Sequence, residues 1–107
     1  MSEQVLMPMI GTDSLENKER AQESLEKARL AHEKYLIGQR NNDLQEAIEH
    51  YVDAVKYDPT IPETYYRLAT LMWEQGQISV NTAIEQCKTA ISLAPLNKDA
   101  HLSLIHI

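Results

Sequence analysis

Phenylalanine is missing altogether from this chain, and glycine occurs three times and proline four times in 107 residues. So few breakers argue against a turn-rich β architecture and suit a chain that is helical throughout. A single cysteine, Cys87, excludes an internal disulfide and fits a reducing compartment. Basic charge is in deficit, with 10 Lys and Arg against 16 Asp and Glu and a net charge of −6. Without a basic stripe there is little counterion release to drive nucleic-acid binding, so no nucleic-acid partner is expected. No apolar run approaches the roughly 20 residues that cross a bilayer, and Met1–Ile10 lacks the basic start of a secretory signal. The expectation is a soluble, cytoplasmic chain with no membrane partner. Hydrophobic residues make up 43% of it, enough for one domain with a small core.

What is present is a repeat. Glu46–Pro59 and Thr82–Pro95 lie 36 residues apart and align without gaps: Ala47 on Ala83, Ile48 on Ile84, Glu49 on Glu85, Ala54 on Ala90, Pro59 on Pro95. Val55 meets Ile91 and Tyr57 meets Leu93, so the apolar face persists where identity is lost. Small residues at fixed places and a closing proline mark a stacked helical repeat.

Five helices follow from periodicity and punctuation, preceded by a flexible, Met-rich leader over 1–12 that offers Val5, Leu6 and Met9 for docking. Asp13 with Glu16 has capping-box spacing and opens a helix over 14–40, with Ala21, Leu25, Ala28, Ala31 and Tyr35 as a narrow apolar stripe. Asn41-Asn42 is read as the turn into a second helix over 43–57, burying Leu44, Ala47, Ile48, Tyr51, Ala54 and Val55. Pro59 stops it, and Thr60 with Glu63 reads as a capping box for a third helix over 61–75, with Tyr65, Leu68, Ala69 and Met72 inward. A fourth helix over 79–93 turns Ala83, Ile84, Cys87, Ala90 and Ile91 inward. Asn97 caps a fifth over 97–107 that carries Leu102, Leu104 and Ile105.

These residues resemble the tetratricopeptide-repeat (TPR) family. Tyr65, Leu68, Ala69 and Met72 fit the first helix of its motif, and Ala83, Cys87, Ala90 and Pro95 the second; Ala47, Tyr51, Ala54 and Pro59 repeat the second helix upstream. His101 and Leu104 begin a third copy. The resemblance runs from Ala21 to Ile107, with departures: a 36-residue spacing where the family uses 34, an over-long first helix, and Cys87 where an aromatic is usual.

The resemblance implies an all-α fold of antiparallel helix pairs stacked as a short right-handed solenoid, whose first helices line a concave face that holds a peptide or partner helix. Carried onto this chain, that groove comprises Glu63, Tyr66, Arg67, Thr70 and Trp73, extended by Leu102, Ser103 and His106 and, from the long helix, Arg29 and His32. Tyr, Trp and Arg are the side chains most enriched in binding hot spots. The plainer reading is that Tyr66 and Trp73 pack on a neighbouring helix with Arg67 lying over them. The family's clamp for acidic C-terminal tails is absent, since the comparable places hold Arg67, Asp99 and Ser103.

Catalytic and metal chemistry find little support. His101 and His106 are five apart, off the i, i+4 spacing of paired ligands on one helix face; no HExxH motif occurs and the glycines are scattered. Cys87 has no histidine beside it, and its alignment with Tyr51 reads as a small buried side chain. The expectation is a non-catalytic protein-binding module with no cofactor and no metal. A competing reading is self-association through the apolar last helix, because helical arrays normally finish in a polar cap. A third is an accessory segment of a longer enzyme or secretion component.

Overall fold

The computed structural model describes residues 15–107, all of it helix and short connections. Five helices follow in order: α1 Leu15–Gly38, α2 Asn41–Tyr57, α3 Pro62–Glu74, α4 Val80–Leu93 and α5 Lys98–His106. The expected leader over 1–12 and the Asp13 cap lie outside the described residues. Helices α1 and α2 pack as one pair and α3 and α4 as the next; α2 lies against α3, and α5 closes on both α3 and α4. This is a short TPR-type solenoid.

The prolines act as their chemistry requires. A following proline disfavours the helical region for the residue before it; Asp58 is extended at φ −148°, and Ala94 likewise leaves the helical region at φ −145°. Pro62 stands at the start of α3, where a missing N–H is harmless. Ser79 caps α4 by accepting from the Thr82 N–H at 3.2 Å, and Asn97 caps α5 by accepting from the Ala100 N–H at 3.1 Å.

Two local expectations are corrected. The first turn is Gln39-Arg40 and not Asn41-Asn42: α1 closes with Gln39 at φ 56°, its N–H donating to the Tyr35 carbonyl, and both asparagines belong to α2. No side chain caps α3, so the Thr60–Glu63 box does not form. The Thr60 hydroxyl donates instead to buried Asp58 at 2.6 Å, and the Glu63 carboxylate is held by two arginines.

The core has two parts. Leu25, Ala28 and Ala31 of α1 meet Leu44, Ala47, Ile48, Tyr51 and Ala54 of α2, joined by Leu68 and Leu71 of α3. Tyr66 and Ala69 of α3 meet Ala83, Cys87 and Ala90 of α4 and Ala100 of α5. Ala47, Ala54, Ala69, Ala83 and Ala90 are completely buried. At these crossings there is no room for a larger side chain, and enlarging one costs about 1–3 kcal/mol through overpacking.

Candidate peptide-binding groove

Helices α1, α3 and α5 each open a pair or the end of the stack, and their side chains form one face with two clefts. The first, about 160 Å³, is lined by Arg29, His32, Glu33, Leu36, Tyr51 and Arg67. The second, about 310 Å³, is lined by Tyr66, Arg67, Thr70, Asp99, Leu102, Ser103 and His106. Arg67 belongs to both and is the hinge of the face.

An ion-pair network holds it. Arg29 of α1 reaches across to Glu63 of α3 through two hydrogen bonds, with Nε to Oε2 at 3.0 Å and Nη2 to Oε1. Arg67 donates from Nε to the same Oε2 at 2.8 Å, one helical turn along α3. Two guanidiniums therefore share one carboxylate, whose side chain is only 16% exposed. Burial alone would push the Glu63 carboxyl up; the hydrogen bonds and charges of Arg29 and Arg67 outweigh it and hold the group below its usual range. Arg67 also stacks over the Tyr66 ring, 5.7 Å from its centroid.

His32 Nδ1 lies 3.1 Å from the Tyr51 hydroxyl, with the two rings edge to face. Burial, and then the charge of Arg67, hold His32 below its ordinary value. Burial pushes the Tyr51 phenol up to about 12. At the far end Trp73 packs into the second part of the core and meets the His106 ring edge to face, while His106 Nε2 lies 3.2 Å from Glu74. Thr70 donates its hydroxyl to the Tyr66 carbonyl of its own helix at 2.9 Å.

Residues 40–76 match the family described as TPR repeat, from the cap of α2 through the end of α3. The chain carries a TPR repeat. The matched stretch contains Ala47, Tyr51, Ala54 and Pro59 together with Tyr65, Leu68 and Ala69. A search of the curated proteins finds no match to this chain.

Seen against the TPR frame, the sequence-derived candidates divide in two. Arg29, His32, Arg67, Thr70 and His106 line the clefts, and Glu63 lies between them as the shared anion. Trp73 lines neither cleft and serves the core. Tyr66 reaches the second cleft but is 6% exposed, which corrects the expectation of an open, less buried face. Cys87 stands where the preceding pair has Tyr51, and Tyr66 packs in the same part of the core as this small side chain. Tyr51 is the member that sequence reasoning assigned to the core alone; it is fully buried, yet it also lines the first cleft beside His32. A signal for the Arg29–Glu63 pair was present in their separation of 34 residues, the family's own period.

Proposed function

We propose that this TPR segment is a non-catalytic module that holds an extended segment or helix of another protein across α1, α3 and α5. TPR repeats serve protein–protein interaction in general. The observation that carries the finer reading is the pair of open clefts that meet at Arg67 on the face formed by the first helices. The internal pairing of Arg29, Glu63 and Arg67 supports it, since a side chain already fixed loses less freedom when a partner docks. Binding in a cytoplasmic setting agrees with one buried thiol and with helices that, among those described, are too short or too polar to cross a membrane.

Capture from a lysate by the wild type, by Arg67→Gln and by a control away from the groove, Lys27→Gln, tests this, with circular dichroism confirming that each variant is helical. A protein held by wild type and control but lost by Arg67→Gln supports the groove. Equal capture by all three overturns it. A second reading, association between copies, draws on α5, where Leu102 is 59% and Ile105 79% exposed. Light scattering that shows only monomer at high concentration removes it.

A further inference from the structure

The groove's charge pattern points to the chemistry of its occupant, on the reading that the groove binds a peptide at all. Glu33 and Leu36 sit three residues apart on α1, and Asp99 and Leu102 sit three apart on α5, so each pair shares a helix face. The two pairs lie 66 residues apart, one in each cleft. Between them, at the matching place on α3, stand Arg67 and Thr70. Leu36 is 61% and Leu102 59% exposed. Glu33 and Asp99 are exposed and make no hydrogen bond or ion pair among the described residues. The cations, by contrast, are already satisfied: Arg29 and Arg67 both hold Glu63, and Arg29 also meets Glu26 at 3.5 Å. The charge left for a partner to meet is therefore negative at both ends of the groove and balanced in the middle.

We propose that the groove takes a basic amphipathic protein segment, with a cation and an apolar side chain entering each cleft and an uncharged stretch lying over Arg67 and Thr70. The cations face Glu33 and Asp99, the apolar groups cover Leu36 and Leu102, and the paired Arg67 leaves the centre to uncharged residues. Acidic segments are rejected, because Glu63 occupies the two guanidiniums that would receive them and the free carboxylates repel them.

Three dye-labelled helical peptides of about 14 residues, long enough to span about 20 Å, test the charge rule: one of Leu and Lys, one of Leu and Gln, one of Leu and Glu on the same apolar pattern. Fluorescence anisotropy reads affinity, and amide chemical shifts in the full chain read location. The Leu/Lys peptide is expected to bind at least tenfold more tightly than the Leu/Gln peptide and to shift amides of α1, α3 and α5. Glu33→Gln with Asp99→Asn should remove that preference. The control pair Glu19→Gln with Glu85→Gln, which changes net charge equally at exposed sites, should keep it. Equal loss in the control pair overturns the proposal, as does tighter binding of the Leu/Glu peptide. Equal groove binding of the Leu/Lys and Leu/Gln peptides removes the charge rule and leaves the groove standing. If no peptide shifts the groove amides, the groove and the charge rule fall together.

Discussion

The two helix pairs take their buried ring from opposite sides. In α1–α2 the buried residues of the first helix are slender, Ala21, Leu25, Ala28 and Ala31, with Tyr35 only partly buried beside them, and the second supplies the buried aromatic, Tyr51. In α3–α4 the bulk comes from the first helix, as Tyr66 with Tyr65 and Trp73 packed nearby, and the second offers Ala83, Cys87 and Ala90. Cys87 is the counterpart of Tyr51, so a lost ring on one helix is met by added rings on its neighbour. Packing conserves volume across the pair and not at each position. The groove inherits the difference. In the first pair a phenol from the second helix reaches the cleft beside His32, and in the second Tyr66 approaches it from within α3.

The comparison breaks most severely at Tyr51. Tyr51→Ala removes a fully buried ring, and a loss of about 3–5 kcal/mol in urea unfolding is expected. That is a large share of the roughly 5–15 kcal/mol that holds a domain folded. Cys87→Tyr asks the second pair to accept an aromatic from both helices. Overpacking should cost about 1–3 kcal/mol, and an unchanged unfolding midpoint would show that the volume exchange is not real.

The link between the pairs gives a smaller effect. Glu63→Gln leaves Arg29 and Arg67 without their shared anion, and since both guanidiniums are more than a third exposed the expected cost is only about 1 kcal/mol. Because the folded Glu63 carboxyl lies below its ordinary value, its contribution is full above about pH 4.3 and is lost as pH falls through the lowered folded value. The wild type's advantage over Glu63→Gln should therefore vanish on acidification. Denaturation at a series of pH values checks it, and an advantage that persists in strong acid would contradict the pairing.

The smallest effects sharpen the comparison at the two turns. Both carry a residue in the left-handed region, Gly76 at φ 72° in the second pair and Gln39 at φ 56° in the first. A Cβ at Gly76 meets nothing within 4 Å, so Gly76→Ala tests backbone conformation alone and should cost about 1 kcal/mol. Gln39→Gly should recover about 0.5–1 kcal/mol, and thermal melts of the two variants should move in opposite directions.

Much of the fold was legible because its signals are local. A proline restricts the residue before it whatever the surroundings, and apolar residues at helical spacing must face one side. Ala47, Ala54, Ala83 and Ala90 therefore declared themselves as crossing points in the sequence. The Asn41-Asn42 turn failed because two asparagines suit a helix start as well as a turn, and only the path of the chain decides between them. The capping box at Thr60 failed for a similar reason. Local spacing put Glu63 within reach of the cap, but Arg29 competes for the same carboxylate from another helix. Tyr66 was misjudged because its exposure depends on Cys87 and Ala100, which its own helix period does not reveal.

The sequence by itself determined the helical class, the repeat, the stopping points at Pro59 and Pro95 and the small-residue crossings, since each follows from the restricted backbone or periodic faces of one short segment. Only the tertiary structure decided which charges remain available. Arg29, Glu63 and Arg67 look like three free groove charges in the sequence. Once α1 and α3 lie side by side they satisfy one another, and Glu33 and Asp99 are left facing the clefts. Electrostatic pairing acts over a few ångströms between helices distant in the chain, and stacking alone sets that distance.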